Sequence, residues 1–216
     1  MKILNIILSI LGMKQKSVPL YKPPRPKISK KKGIVVAKRL KGKDLKNYVY
    51  TEGWEARNDY CPVCHNTLIP VPPSNYVFKK RTGDYWISCD GFAIVSEKFR
   101  RFCIERGYPN LIFTPIKKSK GYYFFTTNEI YKLDYDRSNV GYGVKRECCG
   151  NYDYIIRPPR YRSKDESIHK DDFICRAETL FGSYANKSYV IVVGVATVKL
   201  MEKYGISKLY FEDIYE

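Results

Sequence analysis

The sequence predicts an α+β fold: one β-rich domain over residues 34–216, carrying two strand-helix-strand units, behind a basic arm over residues 1–33. Three observations predict it. Short β-branched and aromatic runs recur along the chain, fed by 20 Tyr and 10 Phe in 216 residues. Two segments space their apolar residues as helices do, and each stops on a glycine. The charge is divided: residues 1–50 hold 14 basic residues against one acid, whereas the remainder hold 25 against 21. The net charge of +17 therefore belongs mostly to the arm. The composition, 44% hydrophobic, is too apolar for a chain disordered throughout. No apolar run approaches the roughly 20 residues that span a bilayer.

Taken in order, Lys2 precedes a mostly apolar run from Ile3 to Leu11. That run has three readings: an export signal, a short interfacial helix backed by lysines, or a segment packed on the body. No small-x-small cleavage pattern follows it. Residues 14–33 combine Pro19, Pro23, Pro24 and Pro26 with closely spaced lysines, so an extended linker is expected. Such an arm can touch nucleic acid or an anionic membrane.

Strands are expected at Ile34–Ala37, Tyr48–Thr51 and Tyr85–Ser88. A helix is expected over Ser96–Arg106: Ser96 suits the N-cap, Phe99, Phe102 and Cys103 share a face, and Gly107 stops it. Further strands are expected at Leu111–Phe113, Tyr122–Thr126, Ile130–Leu133 and Tyr152–Ile156. Residues 159–171 read as a polar surface loop. Tyr189–Val193 reads as a buried strand, Ala196–Tyr204 as a helix stopped by Gly205, and Leu209–Phe211 as a last strand. At an offset of 98 the segment from Phe92 aligns without gaps on the segment from Val190, with Gly107 on Gly205 and Phe113 on Phe211. The match points to two similar units.

Seven cysteines are too few for a disulfide-stapled scaffold. Cys61-Pro62-Val63-Cys64 has the spacing of a metal knuckle, which is half of a structural zinc site. Cys148-Cys149-Gly150 offers the other half, although a second C-x-x-C-G knuckle would need a cysteine where Arg146 stands. Cys148 then becomes the fourth ligand, with His65 as an alternative, and Lys145 and Arg146 as cations offsetting the thiolates. Free thiols and a Cys61–Cys64 disulfide remain open beside zinc. Cys103 is expected in the core, and Cys89 and Cys175 buried or unpaired.

The order of these pieces carries a resemblance. CPVCH and ECCGN frame the segments VSEKF, NLIFTPI and YYFF, and GISKLYFEDI closes the chain. Over roughly Tyr48 to Glu216 this resembles the double-CXXCG immunity-protein family of bacterial polymorphic-toxin systems, and related bacterial proteins. The resemblance implies a small cytoplasmic protein that binds and neutralises a cognate toxin. It implies a metal-site role for Cys61, Cys64 and Cys149, and Arg146 departs from it.

With two His, no Ser/His/Asp set and no glycine-rich phosphate loop, the reading is of a binding protein rather than an enzyme. Two alternatives stand beside it. One is a zinc-ribbon-like nucleic-acid binder using the arm, and the other is a peripheral membrane-associated protein. Export or membrane association replaces the cytoplasm if residues 1–12 act as a signal or anchor. The expected partner face is the last strand, where Tyr210, Glu212, Asp213 and Tyr215 turn outward while Leu209, Phe211 and Ile214 turn inward.

Overall fold

Two sheets are each built round the same local unit, a helix joining two parallel strands that are held apart by a third. The computed structural model describes residues 33–50, 59–79, 81–166 and 169–216. The readings made for the arm fall on residues 1–32, outside the described residues. No helix among the described residues is long and apolar enough to cross a membrane.

The first sheet contains β2 (Lys43–Asp44), β3 (Tyr85–Ile87), β4 (Ala93–Ser96), β5 (Leu111–Pro115) and β6 (Tyr122–Thr127), in the order β2-β3-β4-β6-β5. Helix α1 (Glu97–Glu105) connects β4 to β5, and both strands run antiparallel to the intervening β6. The second sheet contains β1 (Val35–Lys41), β7 (Gly141–Tyr142), β8 (Tyr154–Ile156), β9 (Ile174–Ser183), β10 (Asn186–Gly194) and β11 (Tyr210–Tyr215), in the order β11-β1-β10-β9-β8-β7. Helix α2 (Val195–Lys203) connects β10 to β11, and here β1 is the intervening antiparallel strand.

The helices obey local rules. Ser96 is extended and its hydroxyl accepts from the Phe99 N–H at 3.2 Å, which caps α1. Both helices end alike. Gly107 (φ 68°) and Gly205 (φ 79°) adopt the left-handed conformation, and the N–H of Tyr108 and of Ile206 reaches back to Cys103 and Met201. Gly194 opens α2 without a side chain to cap it. Residues 171–173 do so from a distance: Asp171 accepts from the Ala196 N–H, and the Thr197 hydroxyl donates to the Asp172 carboxylate at 2.9 Å. Asp172 also takes the Arg106 guanidinium and the Tyr108 hydroxyl, each at 2.6 Å, so one carboxylate joins the start of α2 to the end of α1. Desolvation opposes its charge, but these donors hold it below the usual carboxylate range.

Alternation along the strands sorts side chains between three clusters. Val95, Phe125, Leu40 and Val193 meet Phe99, Phe102, Val198 and Met201 of the two helices in a shared core. Ile94, Phe124 and Trp86 fill the other face of the first sheet, and Ala37, Cys175 and Val192 the other face of the second. Cys103 is buried as expected; Cys175 is buried and Cys89 exposed.

Several expectations are corrected. Tyr48 to Tyr50 form a loop, because the buried Asp90 carboxylate takes the N–H groups of Val49 and Tyr50 at 3.0–3.1 Å; Thr51 lies outside the described residues. Ile130 to Leu133 make only isolated bridges, to Arg176 and Arg162. Strand β9, the longest described, was not expected: charged Arg176 and Glu178 break its apolar run, although Ile174 packs into one cluster and Cys175, Ala177 and Phe181 into another. Within the expected surface loop 159–171, Glu166 is 4% exposed and accepts from the N–H of Lys132 at 2.8 Å.

Candidate metal centre

Two tight turns of the same geometry bring the thiols together. In the first, the Cys61 N–H donates to Asn66 O at 2.9 Å and the His65 N–H to Cys61 O at 2.9 Å. His65 takes the left-handed φ of 58° that closes the turn, and Tyr60 bridges Thr67 behind it. In the second, the Arg146 N–H donates to Asn151 O at 2.8 Å and the Gly150 N–H to Arg146 O at 2.7 Å. Gly150 closes this turn at φ 71°, and Lys145 bridges Tyr152. Position by position, Arg146 stands where Cys61 stands, Cys149 where Cys64 stands, and Cys148 where the exposed Val63 stands.

The second turn therefore keeps the knuckle backbone but moves one thiol two residues along. Cys148 Sγ lies 3.6 Å from Cys61 Sγ, and Cys149 Sγ lies 3.5 Å from Cys64 Sγ. All four sulfurs fall within 4.8 Å of one another. Thiolates about 2.3 Å from a common tetrahedral ion stand about 3.8 Å apart, so the set fits one metal ion of zinc size. These distances are also well beyond a sulfur–sulfur bond of about 2.05 Å, and all seven cysteines are free. His65 is not a member of the cluster.

The surroundings favour negative charge at the sulfurs. Desolvation works against the Cys64 thiolate. The backbone N–H and side-chain amide of Asn66 outweigh it, with the thiols of Cys149 and Cys148 adding to them, and the Cys64 thiol falls to about 6. Cys148 and Cys149 hold their protons more tightly: the hydrogen bond to Cys64 pushes Cys148 up to about 12, and burial raises Cys149.

Lys187, at the start of β10 and 3% exposed, completes the surroundings. Its ammonium donates to Asn66 Oδ1 at 2.6 Å and to the Tyr152 carbonyl. Burial pulls its pKa down, and Asp153, Cys149 and Cys64 pull it back up. Arg146 turns away from the sulfurs and forks onto the buried Asp153 with two 2.7 Å contacts. Lys145 lies over the Tyr152 ring. Lys187 and, from its place on Asp153, Arg146 both feel the Cys64 charge, so the expected Arg146 is joined by a lysine that was not expected. Asn66 joins the two networks, donating to Cys64 Sγ at 3.3 Å and to Asp153 Oδ1 at 3.4 Å. The only sequence signal for Asn66 and Asp153 was closeness to a knuckle, and Lys187 had none.

Lys187→Met is expected to lower metal affinity about 10–100-fold, as loss of an outer partner does. Competition with a chromophoric chelator measures it, and unchanged affinity would remove Lys187 from the site.

The expected partner face divides in two. Register places Glu212 opposite Arg39 and Asp213 opposite Lys38, so the two acids project from opposite faces of β11. Arg39 and Lys41 pair with Glu212, and Lys38 pairs with Asp213 at 2.7 Å. Tyr215 packs beside Tyr161, while Tyr210 is 55% exposed. The acids clamp β11 to β1 from within the chain. No protein-family model and no curated protein matches the sequence.

Proposed function

We propose that the protein is a binding protein of the immunity type: it neutralises a toxin by stoichiometric association, without turnover, on a scaffold held by structural zinc. The observation that carries the reading is a set of four protein thiols within 4.8 Å of one another, the number that completes a tetrahedral zinc. Such a set leaves no position for substrate or water, which is the mark of a structural rather than catalytic zinc. The direction toward toxin binding comes from the resemblance over Tyr48 to Glu216. Arg146 departs from the resemblance, and Cys148, 3.6 Å from Cys61, supplies the fourth thiol in its place. Cytoplasmic residence follows from the same reading. Of the expected partner residues, Tyr210 is the one that projects into solvent with no charged partner to satisfy.

The test is co-expression with the toxin encoded in the adjacent reading frame. Survival should require at least equimolar protein, and the two chains should co-purify at 1:1. Protection by protein present at a small fraction of the toxin would mean turnover and end the binding mechanism.

A further inference from the structure

Away from the thiols, a cavity of about 420 Å³ lies between the first sheet and the β9–β10 hairpin. Phe92, Ile112 and Phe124 form its apolar wall, and Val71 lines it from between Pro70 and Pro72. Arg176 of β9 and Tyr189 of β10 line it as well, and among the described residues no acidic side chain does. The Arg176 guanidinium sits 3.9 Å from the centre of the Tyr189 ring, and its Nη1 donates to Ala177 O at 3.1 Å. Those two contacts fix the plane of the fork. Of its five N–H donors this accounts for one. Among the described residues no carboxylate pairs with Arg176.

We propose that this cavity binds a small organic carboxylate with an aliphatic or aryl body. The carboxylate meets the Arg176 fork, and the body lies on Phe92, Ile112 and Phe124. The volume falls within the range of small-molecule sites, roughly 300–1,000 Å³. A guanidinium already stacked and held in plane suits a two-oxygen planar anion. A neutral ligand would cover the guanidinium without compensating it, which is unfavourable in an apolar setting. A free phosphate would set charged oxygens against the aromatic wall. The proposal is independent of the zinc reading, since none of its residues touches the thiols.

Titration calorimetry of the full-length protein with octanoate tests it. Saturable 1:1 binding is expected, with octan-1-ol and octylamine weaker by about tenfold or more, the scale of a charge-assisted pair. Arg176→Gln should reduce octanoate affinity by about the same factor with an unchanged near-ultraviolet dichroism spectrum. Ile112→Trp, on the outer strand β5, should fill the cavity and abolish octanoate binding. Absence of octanoate binding at millimolar concentration overturns the proposal. So does equal affinity for octanoate and octan-1-ol, or unchanged affinity in Arg176→Gln. Should Arg176→Gln fail to fold, the octan-1-ol comparison and Ile112→Trp decide the matter.

Discussion

Purified protein is expected to carry about one zinc ion per chain, and Cys61→Ser to carry none. Cys61 is the most deeply buried of the four clustered cysteines, at 2% exposure, and its thiol faces Cys148 at 3.6 Å. A hydroxyl in its place is a poor zinc ligand and leaves three thiols crowded without a shared cation. Metal binding is expected to be coupled to folding: the two knuckles are 84 or more residues apart in sequence, and besides the thiols they are joined by Asn66 on Asp153 and by Lys187. The melting temperature should fall by about 10 °C or more, and a strong chelator should reproduce that fall in the wild type. Metal analysis and a thermal melt with and without chelator measure both effects. Zinc-free wild-type protein that melts at the same temperature with and without chelator would remove the site.

A second large loss is expected from Gly194→Ala. A methyl group there would overlap the carbonyl of Asp171. That carbonyl cannot retreat cheaply, because it accepts from the Ala196 N–H in the first turn of α2, while the Gly194 N–H donates to Phe173 O at 3.0 Å. The clash lies between two backbones, not between flexible side-chain ends. The cost should be about 3 kcal/mol or more, which in a chain of this size lowers the melting temperature by about 6–12 °C. Zinc content should stay unchanged, which separates this loss from the first. A melting temperature within about 2 °C of wild type would mean that residues 171–173 move aside freely.

What was legible in the sequence is what local chemistry decides. Ser96, Gly107 and Gly205 mark helix ends through bonds spanning only a few residues, and both helices lie within a residue of their expected bounds. The cysteine pairs were visible because knuckle spacing is local as well. What escaped depends on partners far along the chain. The second half of β1 is Lys38-Arg39-Leu40-Lys41, which reads as a solvated stretch until Glu212 and Asp213 are set against it. Strand β9 hides because it is buried on both faces at some positions and carries Arg176 at another. Lys187 looks like any surface lysine until Asn66 and the Tyr152 carbonyl close over it.

The place of β1 has a consequence for the order of assembly. In the first sheet the intervening strand, β6, follows its neighbours by a short connection, so all its partners are made within one stretch of chain. In the second sheet β1 is synthesised first and pairs with β10 and β11, roughly 150–180 residues later. During translation, at about 5–20 residues per second, the first sheet can close while β1 still waits with both edges open. Joining such distant strands also lengthens the search and slows folding. Nascent chains arrested before β10 should therefore protect β3–β6 from protease and leave β1 cleavable.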